Sequence, residues 1–333
     1  MHARTNYAVT EVLSLITVVI IASSAISVIL FWAMPQLDAK KESVRIDSTL
    51  TQFKTISNVI EDVSSSGVNA SNLVDFVTDA GEISIDSRGD RFIFYYSLVK
   101  GFDFNVSGLD NDDTKIVVDI KKTPWSTQPT FAFGMRYLNQ LGGTPVPIPF
   151  TSGNSIDTNN LLVDAVKMDI IKTNFPLQNS IIGRIWLFDS GDISYKIGSS
   201  SGTYRFITEN GGAISQYASG YLYHEPSFYS KDNSIVMKMI QLKPGDVQGG
   251  SGKGRYTFLI KSNANYVGEI KVNTYAYFKM QIYGSNNEAW ISYYMQEHGF
   301  KKFKDRPDIL YLEGDRIFSL VQSVCDVKLV TIK

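Results

Sequence analysis

The chain has 333 residues, a formal net charge of -1, and a composition that is 44 % hydrophobic and 12 % aromatic. The near-neutral balance excludes a bulk basic field of the kind that draws nucleic acid, and it excludes an acidic solvating tail. With Cys325 as its single cysteine the chain can form no intrachain disulfide, and His2, His224 and His298 are too far apart for metal-ligand spacing or a histidine triad. No enzyme chemistry and no cofactor are therefore expected.

The first element is the oily run "NYAVTEVLSLITVVIIASSAISVILFW", Asn6 to Trp32, in which Glu11 is the one carboxylate. As a helix, Ala8–Met34 would extend for about 40 Å, more than the ~30 Å hydrocarbon core of a bilayer. A secretory signal has a shorter apolar core and a small-residue cleavage site, and "LFWAMP" is a poor one. A plain membrane anchor fits the length but leaves Glu11 unexplained, unless the acid sits at headgroup depth.

After Pro35 the pattern changes without stopping. Ile46, Leu50, Phe53, Ile56, Ile60 and Val63 recur at steps of three and four, which mark one face of an amphipathic helix that ends at Ser64–Gly67. Kinked or not at Pro35, Ala8–Ser64 would measure ~85 Å by helical rise. An apolar stripe beyond the bilayer suits a helix that packs on its own head. A coiled coil is the alternative, but the repeat covers few heptads.

This plan, with "RTNYAVTEVLS" at its front, resembles archaeal type IV pilin-like proteins carrying a class III signal peptide. Arg4 stands for the basic leader, Ala8 for the small residue, Val9 for the apolar one, Thr10 for the hydroxyl and Glu11 for the acid. The pattern departs from the family in placing Thr5, Asn6 and Tyr7 between the basic and small residues. The scissile bond is thus open between Tyr7–Ala8 and Ala8–Val9, and a cut just before Tyr7 would put Glu11 at the fifth mature position. The resemblance implies that a prepilin peptidase-like enzyme removes the leader while the oily helix stays. It further implies that Glu11 pairs with the N-terminal amine of a neighbouring subunit, removing a costly charge from apolar surroundings.

Beyond Gly67 short alternations take over: Ile83/Ile85, Phe92/Phe94/Tyr96, and two strands in "FDFNVSGLDNDDTKIVVDI" around a polar turn. Pro- and Gly-rich "LGGTPVPIPFTSGNS" reads as a connection between two halves. From Asn160 strands recur with frequent turn signals and no β–α alternation, which predicts an antiparallel sandwich. One helix interrupts near 286–298, with Asn286 as its cap, Trp290, Tyr293 and Tyr294 on one face, and Gly299 at its end. Over Gly183–Gly299 the segments "GDISYKIG", "GTYRFITENGGAISQ", "EPSFYSKDNSIVMKMIQL" and "EAWISYYMQEHG" resemble archaeal pilin-like secreted proteins of unassigned role. The expected fold is α+β: a leader over 1–8, a long helix over 9–66, a first β part over 83–150 and a second over 151–333.

Other signals are weaker. "GGSGKGR" lacks P-loop spacing, since Val247 and Gly254 stand where Gly and Ser/Thr are required, and reads as a hairpin loop. "SRGD" reads as a charged turn. Asp110, Asp112 and Asp113 offer alternating oxygens for Ca²⁺, but without the EF-hand glycine and distal Glu a solvated turn explains them. Asn69 and Asn105 begin sequons, candidate glycan sites on a body outside the cell. His224 and Glu225 are adjacent, so on a strand they point to opposite faces. His298 is placed to favour a helix dipole, and Cys325 reads as a small buried hydrophobe.

The resulting expectation is a structural, adhesive or minor subunit of a surface filament, its helix packing against those of other pilin subunits and its body outside the membrane. The alternative is a single-pass, non-polymerising ectodomain with a binding role.

Overall fold

The computed structural model describes residues 3–108, 115–124, 130–137, 146–148, 154–157, 166–174, 178–199, 202–217 and 220–332. The protein is α+β, a long N-terminal helix followed by a mostly antiparallel β-sandwich. Two compact units divide at Leu50/Thr51.

In the first unit every described residue is helical. Helix α1 (Ala3–Ser65) starts earlier than the expected leader boundary, because "ARTNYA" contains no Gly or Pro to delay it, and it stays helical on both sides of Pro35.

The second unit, Thr51–Lys333, begins with the last four turns of α1. Phe53, Ile56 and Ile60 are fully buried and Val63 nearly so. The Phe53 ring meets Phe76 edge-on at 5.4 Å, Phe206 at 6.1 Å and Tyr195 at 6.4 Å. Polar contacts fix the register: the Val77 amide donates to Gln52 Oε1 (2.6 Å) and Ser57 Oγ donates to the Gly211 carbonyl (2.6 Å). Side chains from the body also reach carbonyls in the last turns of the helix. Lys238 Nζ donates to Glu61 O (3.2 Å) and Ser323 Oγ to Ser64 O (3.0 Å), a cation and a hydroxyl where the helix dipole is negative. Gly67, at φ +98°, turns the chain out of the helix.

Among the described residues the strands form three sheets, of twelve, six and three strands. Arg91–Ser97 is central to the largest, paired with Gln178–Asp189 on one side and Gly254–Tyr283 on the other. Its alternation buries both faces. Phe92, Phe94 and Tyr96 join Trp186, Ile207, Ile214 and helix α2 (Asn287–Glu297) in one core. Ile93 and Tyr95 join Phe102, and Phe104 and Val118 from the three-stranded sheet, in the other. One pairing is parallel, Ser234–Pro244 beside Arg316–Ile332.

Three sequence expectations change. The body does not split at 150/151: Glu82–Asp86 pairs with Asp192–Ser199 and Arg91–Ser97 with Gln178–Asp189, so strands from both sequence halves share sheets. "RYTFLIKS" and "EIKVNTYAYFKMQIYG", which the sequence pattern reads as two separate strands, belong to one 30-residue strand, Gly254–Tyr283, whose register shifts four times against Arg316–Ile332. The "GGSGKGR" stretch is not a hairpin loop. Gly249–Ser251 pairs with Glu82–Asp86 in the six-stranded sheet, while the strand after it lies in the twelve-stranded one.

Candidate functional site

Two features stand out: the apolar segment of α1, and a buried polar cluster in the body.

The large apolar side chains from Val12 to Met34 are 49–87 % exposed, on every side of the helix. A helix apolar all round demands an apolar environment. From Glu11 onward α1 is long and apolar enough to cross a membrane. Glu11 is itself exposed on this surface. Arg4, Tyr7, Ala8 and Val9 belong to the helical backbone.

The cluster forms where four connections meet. Asp90 lies in the turn before Arg91–Ser97, Ser190 in the turn before Asp192–Ser199, Glu209 at the end of Gly202–Glu209, and Asn286 at the N-cap of α2. Glu209 is fully buried, Asp90 is 1 % exposed and Asp192 4 %. The Glu209 carboxylate accepts four hydrogen bonds. Its Oε1 takes the Asp90 amide and Ser190 Oγ, and its Oε2 takes Asn286 Nδ2 (3.0 Å) and Trp290 Nε1 (3.2 Å). Asn210 and Gly211 follow with φ of +48° and +77°, a tight two-residue hairpin, and Asn210 Oδ1 accepts the Ile240 amide at 2.8 Å.

Asp90 is held differently. Its Oδ1 accepts the Asn286 amide at 3.1 Å, and its Oδ2 is buried without a partner. Burial, reinforced by the Glu209 carboxylate, pushes its pKa up to about 9 against the pull of the Asn286 amide. Asp192 is the direct cross-strand neighbour of Glu209 and of Asp86. Burial and Glu209 push it up to about 7, while Arg205, at 3.6 Å, pulls it down. Burial thus favours the protonated acid at Asp90 and, less strongly, at Asp192, beside the four donors that meet Glu209.

Several expectations are corrected. "SRGD" forms the expected turn between two strands, but its Asp90 is an interior residue rather than a surface charge. Asn286 occupies the cap position, but its side chain makes no capping bond and serves Glu209 instead. His298 packs against the Phe228 ring at 4.5 Å and shares a 2.7 Å hydrogen bond with Tyr293 Oη. Burial holds its pKa below the usual value, which disfavours the cation that a dipole partner requires. Asn105 offers no accessible amide for a glycan: it is 8 % exposed and its Oδ1 accepts from Lys279 at 2.7 Å. Asn69 is exposed, in the left-handed region at φ +69°. Asp110, Asp112 and Asp113 lie outside the described residues. Cys325 is fully buried, and burial pushes its thiol up to about 12.

No family model matches the chain, and no curated protein or solved structure matches it either. Its organisation is therefore read from its own residues. On that basis segments far apart in the sequence meet in space: "GDISYKIG" supplies Asp192, "FITENGG" supplies Glu209, and "NNEAW" supplies Asn286 and Trp290. Glu209 was missed in the sequence because an acid beside Asn-Gly-Gly reads as part of a solvated turn. The one available hint was its place directly after the apolar strand "YRFIT".

Proposed function

We propose that this chain is a structural subunit of an archaeal type IV pilus-like surface filament, of the minor or adhesive kind. The apolar part of α1 holds the subunit in the membrane first and packs among the helices of other subunits afterwards, while the sheet body faces outward. A prepilin peptidase-like enzyme removes the leader near Tyr7–Val9, and Glu11 pairs with the amine of a neighbour. The observation that carries the reading is the change along one helix. Around Val12–Met34 its surface is apolar and exposed on all sides, whereas at Phe53–Val63 it is a stripe buried under the body's own sheets. A helix apolar on every side over that length needs lipid or like helices around it, and burying that surface at ~25 cal/mol/Å² makes it a strong association element.

The test is Glu11→Ala in the producing cell. A carboxylate in apolar surroundings costs roughly 2.5–3.5 kcal/mol at the centre of a membrane span, so alanine inserts at least as well. The membrane-bound pool should persist while the amount of subunit in sheared filaments falls at least tenfold. Unchanged incorporation would remove the amine-pairing role. Absence of the wild-type chain from any sheared fraction would favour the non-polymerising ectodomain, which a body as large as Thr51–Lys333 also suits.

A further inference from the structure

The side chain of Lys279, on the strand Gly254–Tyr283, is 2 % exposed. Its Nζ lies 2.6 Å from Asp103 Oδ1, 2.6 Å from the Phe104 carbonyl and 2.7 Å from Asn105 Oδ1, all on the strand Asp103–Gly108. Aromatic rings wall the site, with the centroids of Phe303, Tyr277 and Tyr95 at 5.3, 5.6 and 5.8 Å from Nζ. A lysine amine is nucleophilic only when neutral, and a desolvated pocket favours that form. Burial accordingly holds Lys279 below the ordinary lysine range, with Asp103 opposing. An amine, a carboxamide and a carboxyl group are thus fixed within hydrogen-bond reach in a nearly dry pocket. The hydrogen bond to Oδ1 keeps Nζ beside the carbon that bears it, the arrangement in which proximity converts a slow bimolecular reaction into an intramolecular one.

We propose that Lys279 and Asn105 become joined by an isopeptide bond, with Asp103 as the catalytic residue. The ammonium of Lys279 first passes a proton to the Asp103 carboxylate, leaving a neutral amine and a neutral acid. Nζ attacks Cγ of Asn105 and forms the new C–N bond, with the negative charge on Oδ1. Asp103 gives its proton to Nδ2 and receives one from Nζ (general acid, then general base). The Cγ–Nδ2 bond breaks, the carbonyl reforms, and ammonia takes the proton from Asp103 to depart as ammonium. Nothing is oxidised or reduced, and no co-reactant is needed. Asp103, whose side chain is 25 % exposed, is the opening through which the product leaves.

The product is a covalent strut between residues 174 positions apart in a chain whose only cysteine can form no intrachain disulfide. Closing so long a loop constrains the unfolded chain strongly. The inference stands apart from the filament reading and would hold for an anchored ectodomain as well.

The experiment is mass spectrometry of the denatured full-length protein, purified in detergent, with its N-terminus determined. The expected mass falls short of the sequence mass by one ammonia, and protease digestion yields one branched peptide joining Asn105 to Lys279, with no tryptic cut after Lys279. Asp103→Asn, nearly isosteric, should lose the branched peptide and migrate more slowly on a denaturing gel. Lys279→Met should also lack it. Because the wild-type mass is read directly, poor folding of a variant cannot mask the answer. A wild-type protein of full mass whose Lys279 is cut by trypsin overturns the proposal. So does a deficit of one water with a branch at Asp103, or a deficit of one ammonia without a branched peptide.

Discussion

Phe53→Ala in the full chain should lower the stability of the body by about 3–5 kcal/mol, the cost of emptying a large buried aromatic site. Phe53 has no exposed surface, and its three ring neighbours come from three different strands: Phe76 from Ser71–Thr78, Tyr195 from Asp192–Ser199 and Phe206 from Gly202–Glu209. Truncation therefore opens a cavity where α1 meets both the six-stranded sheet and the strand paired with Gly254–Tyr283. Surrounding side chains can fill it little, because Ser57, one turn on, is held to the Gly211 carbonyl and receives a 3.2 Å hydrogen bond from Thr208. Urea unfolding in detergent, followed by the fluorescence of buried Trp186 and Trp290, measures the loss. Phe31→Ala is the control: Phe31 is 87 % exposed, so the same deletion there should leave the midpoint within the error of measurement. A loss below about 1 kcal/mol for Phe53→Ala would mean that the helix end is not part of the body's core.

The second large effect is a pH dependence opposite to ordinary acid denaturation. Asp90 keeps its proton in the folded body up to pH about 9 and Asp192 up to about 7. In the unfolded chain both lose it near pH 4. The folded state thus binds more protons than the unfolded state between these limits. The stability contributed by each group is complete below pH 4 and is lost as pH rises through its folded pKa. From pH 6.5 to 8 the Asp90 contribution alone should lower stability by about 1.4 kcal/mol per pH unit. Below pH 6.5 His224 and His298 work against this trend, since burial holds both below the usual imidazole value and protonation then favours the unfolded chain. Toward the alkaline end Lys238, also held low by burial, opposes it. Asp90→Asn keeps an oxygen for the Asn286 amide and removes the Asp90 titration, so above pH about 7, where Asp192 has given up its proton, its unfolding free energy should fall much less steeply than that of the wild type. Denaturant titrations of both proteins across that range check the slope. A wild-type stability that rises with pH there would contradict the protonated state of Asp90.

Much of this architecture is visible in local pattern. The step of three and four from Phe53 to Val63 places four side chains inside the body, and the alternation of Phe92, Phe94 and Tyr96 places all three in one core. Trp290, Tyr293 and Tyr294 are buried on one face of α2, as their spacing predicts. What local pattern could not reveal is pairing between distant segments. Arg91–Ser97 finds its partners around residues 183 and 279, and no run of residues near it announces either. For the same reason the body looked divisible at a Pro- and Gly-rich stretch that its sheets ignore. The polar residues misled for a different reason. Asp90 in "SRGD", Glu209 in "ENGG" and Asn105 in a sequon all carry the signature of surface turns or glycan acceptors. Each is buried because a remote partner satisfies it: Asn286 for Asp90, Trp290 for Glu209 and Lys279 for Asn105. Buried polar groups are as a rule held by such partners, and these lie 81 to 196 residues from their acceptors.

The most direct test of the filament account is to shear the producing cells, isolate the released material and determine the N-terminus of this chain within it. The account predicts assembled filaments that contain the chain, beginning between Tyr7 and Val9 with Glu11 and the entire apolar segment retained. Finding the chain as a dispersed species that has lost Val12–Met34, or finding it only in the membrane with Met1 or His2 still in place, would contradict it.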